Sequence, residues 1–79
     1  MNVTAEKIKQ IIEEINPYID IQMDTNLFDE GIMDSLAIFA LVMQIEDTYG
    51  VEVPDDAITK ENFETIESIV VFVQKLLGE

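Results

Sequence analysis

Residues 31–47 read GIMDSLAIFALVMQIED, and the fold turns on how this stretch is interpreted. Asp34 and Ser35 are residue types that open helices, because their side-chain oxygens accept the backbone N–H groups a first turn leaves unpaired. In Leu36–Ile45 only Gln44 is polar. A helix continuing to Tyr49 would find its C-terminal cap in Gly50, since glycine readily takes the left-handed conformation that closes helices. A half-exposed helix normally carries a polar face opposite its apolar stripe, and this one has almost none. If Leu41, Val42, Ile45 and Tyr49 face a core, then Phe39, Ala40 and Met43 are left partly exposed. An apolar patch of that kind beside a serine, in an acidic chain, marks a docking face for a partner. Methionine suits such adaptable surfaces.

On the N-terminal side, Ile8, Ile11, Ile12 and Ile15 recur at helical spacing. Asn2 or Thr4 is the candidate cap, and Asn16-Pro17 ends the stripe because the residue before proline is driven out of the helical region. The connector that follows, YIDIQMDTNLFDEGIMD, is longer than most loops of a small domain. Its scattered apolar residues (Ile19, Ile21, Leu27, Phe28, Ile32) predict a loop packed by its own side chains. On the C-terminal side, VEVP is extended, DDAITKENF allows one short helical turn at most, and Thr65 caps a last helix. Ile66, Ile69, Val70, Val73, Leu76 and Leu77 form the stripe of that helix. The reading is all-α: a small four-helix bundle of three longer helices and one short one, with a long packed loop between helices one and two.

Seventy-nine residues suit one domain, so residues 1–79 are expected to form a single unit. A hydrophobic fraction of 48% with three glycines and two prolines argues for a packed core rather than an acidic disordered tail. The chain has 17 acidic residues against four lysines, a net charge of −13. That balance opposes binding to nucleic acid phosphates and favours partners with basic docking faces, since complementary potentials steer encounter. With no cysteine and no histidine, neither a thiolate metal site nor a Ser-His or Cys-His nucleophile can be assembled. A calcium loop counted from Asp24 fails, because Phe28, Asp29 and Ser35 stand where an oxygen ligand, glycine and glutamate are required. The adjacent acidic pairs Glu13–Glu14, Asp29–Glu30 and Asp55–Asp56 read as solvated charge. The N-terminus carries no apolar signal core, and Leu36–Ile45 spans only about 15 Å as a helix, half of a bilayer's interior. A cytoplasmic monomer without catalytic residues is the expectation. Met1 and the ending LLGE lead us to expect a complete, free-standing protein.

The segments LFDEGIMDSL (27–36), QIEDTYGVEVP (44–54) and ENFETIESIVVFV (61–73) together resemble, in order and spacing, the acyl carrier protein superfamily, which includes peptidyl and D-alanyl carriers. The resemblance implies a bundle of three longer helices and a short third one. It also implies that Ser35 is esterified through a phosphodiester by 4′-phosphopantetheine, transferred from coenzyme A by a phosphopantetheinyl transferase. Asp34 would then lie near the metal that transferase uses. The arm would carry an acyl or aminoacyl thioester, loaded by a ligase and passed to downstream enzymes. Leu36, Phe39, Ala40, Met43 and Phe63 are the expected partner contacts. Fatty-acid synthesis carriers typically bear an acidic residue five positions after the serine. Ala40 stands there in this chain, which points to an amino acid or a specialised acyl group as cargo, with the pathway left open. The rival reading is an unmodified acidic adaptor using the same patch on helix two.

Overall fold

Thr4, Asp34, Thr59 and Thr65 each sit just before a helix, and their side chains start the four α-helices of the bundle. The computed structural model describes residues 2–78. Met1 and Glu79, at the ends on which the expectation of a complete chain rested, lie outside the described residues. Helix α1 spans Ala5–Ile15, α2 Ser35–Tyr49, α3 Lys60–Phe63 and α4 Ile66–Leu76. Among the described residues there is no strand. Of the two candidate caps for α1, Thr4 takes the role, its hydroxyl accepting the Lys7 N–H at 3.1 Å. Gly50 closes α2 at φ 65°, in the left-handed region.

Helix α1 packs against both α2 and α4, and α3 packs on α4. The buried side chains are Ile8, Ile11 and Ile12 from α1, Leu41, Val42, Ile45 and Tyr49 from α2, and Ile66, Ile69, Phe72 and Val73 from α4. The α4 stripe is therefore not quite the one the spacing predicts: Val70, Leu76 and Leu77 are only partly buried, and Phe72 takes a core place. The reason is tertiary, because α4 meets α1 and α3 at once and so buries a wider arc than one stripe. The DDAITKENF segment also divides in two. Pro54, at φ −63°, leads into a single 3-10 turn at Asp55–Ala57, the chain opens at Ile58, and Thr59 then caps α3. Phe63 was expected to meet partners, and the structure corrects this. It is fully buried, its ring 5.4 Å from that of Phe72 at an interplanar angle of 59°. A one-turn helix with one large apolar residue is held to the bundle by turning that residue inward.

The long connector is packed, as its apolar residues suggest. Ile21 and Leu27 are fully buried, and Ile32 and Met33 join the core. Hydrogen bonds pin it to the junction of α3 and α4: the Leu27 N–H donates to the Glu64 carbonyl at 2.8 Å, and the Asn26 amide donates to the Glu64 carboxylate at 2.7 Å. The Leu27 carbonyl in turn accepts from both Ile32 and Met33, at 2.9 and 3.0 Å. Gly31, at φ 71°, makes the reversal this requires. The fold thus delivers the chain to Asp34 from an anchored point, and the start of α2 is set by the far end of the sequence.

Candidate functional site at the head of the second helix

Asp34 has extended backbone and its carboxylate accepts the Ala37 N–H at 2.8 Å, while its carbonyl takes the Ile38 N–H at 2.9 Å. These bonds satisfy the third and fourth amides of α2 and leave those of Ser35 and Leu36 without an intrahelical acceptor. Ser35 is the first helical residue, and it is exposed. Its hydroxyl therefore stands at the positive end of the α2 dipole, equivalent to about half a unit charge. The first turns of α1, α3 and α4 carry Glu6, Glu61 and Glu67, whereas that of α2 carries no acid within it. An exposed hydroxyl beside two amides without intrahelical acceptors, at a helix N-terminus whose dipole the Asp34 carboxylate offsets only in part, is a position chemically able to bear a phosphodiester.

From this point an apolar face runs down α2. Leu36 is 82% exposed, Phe39 61% and Met43 67%, with Ala40 half-buried between them. The opposite side of the same helix holds Leu41, Ile45 and their neighbours in the core. Of the residues singled out from the sequence, Asp34, Ser35, Leu36, Phe39, Ala40 and Met43 lie together on one end and side of α2, and Phe63 lies elsewhere, in the interior. The acidic pairs Glu13–Glu14, Asp29–Glu30 and Asp55–Asp56 are all exposed. Asn26, a ligand position in the calcium-loop test, spends its side-chain oxygen on the N–H groups of Phe28 and Asp29, at 3.1 and 2.9 Å.

One feature of the site has no counterpart in the sequence reading. A groove of about 310 Å³ lies beside Ser35, where the end of α1 (Ile15, Asn16) approaches Ile32 and the first turns of α2 (Leu36, Ala37, Ala40). The residues of its two walls are some twenty positions apart, so no local pattern announces it.

Comparison with known proteins identifies the family of the chain. Residues 6–73 match the family described as phosphopantetheine attachment site. The chain is 33% identical to the D-alanyl carrier protein of Listeria welshimeri over 73 residues, covering 90% of this chain and 94% of that one. It is 41% identical to D-alanyl carrier protein 2 of Lactiplantibacillus plantarum over 54 residues, 68% of each chain. It is 33% identical to the acyl carrier protein of Rhodococcus erythropolis over 75 residues, 92% of this chain and 80% of that one. The protein is a member of the acyl carrier protein superfamily, a carrier with covalently attached 4′-phosphopantetheine rather than an enzyme.

Proposed function

We propose that Ser35 is the attachment point, and that the protein carries a small acyl or aminoacyl group, an amino acid first among them, between a loading ligase and an acceptor enzyme. The observation that carries this reading is the exposed Ser35 hydroxyl at the head of α2, flanked by free backbone amides and opening onto an exposed apolar face. The attached group supplies the thiol that holds cargo as a thioester, which is why a chain without cysteine can serve. Everything else falls to the chain's own residues. Asp34 fixes the first turn of α2 and so the direction in which the serine is presented. Ser35 Oγ forms the bond to phosphorus as the diphosphate link of coenzyme A breaks and the adenosine bisphosphate leaves. With no histidine in the chain, the base that takes the hydroxyl proton belongs to the transferase, and the metal that transferase uses falls near the Asp34 carboxylate. The dipole of α2 favours the phosphate charge thereafter.

Leu36, Phe39, Ala40 and Met43 form the surface on which the loading ligase docks, and the net charge of −13 steers partners with basic faces toward it. The amino-acid assignment draws on two things: several similar proteins are named as D-alanyl carriers, and the helix-two face lacks an acidic residue at Ala40. Work within the cytoplasm, where coenzyme A is made and used, and monomeric behaviour follow from the same reading. The test is intact mass after incubation with coenzyme A and a broad-specificity phosphopantetheinyl transferase. One phosphopantetheine unit is expected on the wild-type chain and none on Ser35→Ala, with helicity retained because Asp34 still caps α2. Modification persisting in the alanine variant overturns the assignment, and no modification of the wild type favours the unmodified adaptor.

A further inference from the structure

We infer that Asn26 and Glu64 form a clasp that positions Ser35 for its modification, so that two side chains remote from the serine govern how fast it accepts phosphopantetheine. The inference rests on Ser35 being the attachment point. Residues 16–34 lead to the serine with no helix or strand among them. Ile21, Leu27, Ile32 and Met33 are buried in the core, but apolar burial is non-directional and leaves the backbone above it free to shift. Direction comes from hydrogen bonds. Most within this connector join near neighbours, such as Thr25 to Gln22 at 3.2 Å and Gly31 to Phe28 at 3.1 Å. Among the described residues of the connector, only Asn26 and Leu27 bond to a distant part of the chain, and both reach Glu64.

Asn26 is the hub. Its amide donates to Glu64 Oε1 at 2.7 Å, and its side-chain oxygen accepts the Phe28 and Asp29 N–H groups at 3.1 and 2.9 Å. Its carbonyl accepts the Glu30 N–H at 3.1 Å. Holding a turn and a carboxylate at once takes a donor and an acceptor on one short side chain, which asparagine has. Aspartate would keep the turn, lose the donor and set its charge against Glu64. Both side chains are half-buried, where water competes less for the bond. The main chain carries this anchor to the serine: Leu27, bonded to the Glu64 carbonyl, accepts from Ile32 and Met33, and Met33 precedes the Asp34 cap. A shift at Asn26 therefore passes to Asp34 and Ser35. Phe39 and Met43, a turn or more further along α2, keep their places on its exposed face. Attack on phosphorus demands a closely defined position of the serine oxygen, and a misplacement of about 1 Å can cost on the order of 100-fold. Docking and positioning are thus separable in this carrier.

The test measures steady-state modification of the apo chain by a broad-specificity phosphopantetheinyl transferase, with coenzyme A saturating and the carrier concentration varied. Thermal melts fix a temperature at which each variant is folded. Asn26→Asp is expected to lower kcat about tenfold and to leave KM for the carrier within about twofold. Glu64→Gln keeps an oxygen acceptor for Asn26 and is expected to match the wild type. The double variant Asn26→Asp with Glu64→Gln rebuilds the bond in reverse, an amide at 64 donating to a carboxylate at 26. It also restores the wild-type net charge, and it is expected to recover kcat. A merely stabilising contact would leave kcat unchanged wherever all the variants are folded. A loss confined to KM, an unchanged kcat in Asn26→Asp, or a double variant no faster than Asn26→Asp would each overturn the clasp. Should Asn26→Asp not fold, Glu64→Ala takes its place, since it keeps the main-chain bond to Leu27; an unchanged kcat there overturns the inference, and a lowered one at constant KM supports it. A wild-type chain that gains no phosphopantetheine overturns this inference and the attachment assignment together, whereas equal rates for wild type and Asn26→Asp overturn this inference alone.

Discussion

Helices α2 and α4 are both rich in apolar residues, yet they spend them differently. Helix α4 alternates its buried Ile66, Ile69, Phe72 and Val73 with Glu67, Ser68, Gln74 and Lys75, and Val71 is its one large apolar side chain left exposed. Helix α2 buries Leu41, Val42, Ile45 and Tyr49, and exposes Leu36, Phe39 and Met43 as well. No charge interrupts it before Glu46. An amphipathic helix is complete once its apolar stripe is covered, as in α4. A helix that is apolar on two sides, as α2 is, has one face covered within the fold and leaves the other open to solvent. The net charge of −13 makes copies of the chain repel one another, which opposes self-association through that uncovered face.

The largest expected effect separates interior from docking face. Phe63 and Phe39 are phenylalanines of opposite placement, one fully buried against Phe72 and the other 61% exposed. Phe63→Ala should destabilise the fold by about 3–5 kcal/mol, the usual result of emptying a buried aromatic site. Phe39→Ala should move the denaturation midpoint little and slow loading by the ligase instead. Equal losses of stability would erase the distinction between the two surfaces.

Next in size is the buried end of α2. The Tyr49 hydroxyl is enclosed and has no hydrogen-bond partner among the described residues. Leaving such a group unpaired costs about 1–3 kcal/mol, so Tyr49→Phe should stabilise the protein by about 1 kcal/mol in a urea titration. Burial also raises the phenol above its ordinary 10.0. In the unfolded chain this group releases its proton first, so the unfolded state binds fewer protons above that value. Stability contributed by the neutral phenol is intact below about pH 10 and falls as pH rises toward the folded value. Tyr49→Phe should flatten that alkaline decline. An alkaline decline equally steep in Tyr49→Phe and in the wild type would show that burial does not raise the phenol, and a loss of stability in the variant would show that the hydroxyl finds a partner in solution.

The smallest effects on stability belong to the exposed face. Ala40→Glu and Met43→Glu should each change stability by less than about 0.5 kcal/mol, as surface substitutions do. Both should slow loading, because the new charge loses its water at the interface. Unfolding of both variants would mean that the apolar run is core on every side and that the two helices do not differ in kind.

Much of this was open to reading along the chain, because helix formation is a local matter. Asp34 before an apolar run, Gly50 after Tyr49, and Thr65 ahead of Ile66 are capping positions whose chemistry acts within four residues, and each element starts or stops there. The division of α2 into Leu41, Val42, Ile45 and Tyr49 inside and Phe39 and Met43 outside follows from helical spacing alone. The misreading of Phe63 has an equally physical origin. In a helix of one turn there is no periodicity to assign a side, so only its neighbours decide whether the ring is covered.

What the amino-acid order determined by itself was therefore the set of helices, the cap that presents Ser35, and an excess of apolar surface on α2. Tertiary structure alone decided the rest. It turned Phe63 and Phe72 toward each other, tied Asn26 and Leu27 to Glu64 across 37 or more positions, and brought Ile15 and Asn16 beside Ala37 and Ala40 to form the groove at the serine. Caps and stripes act through neighbours in sequence, whereas a wall shared by two helices exists only after the loop between them has packed.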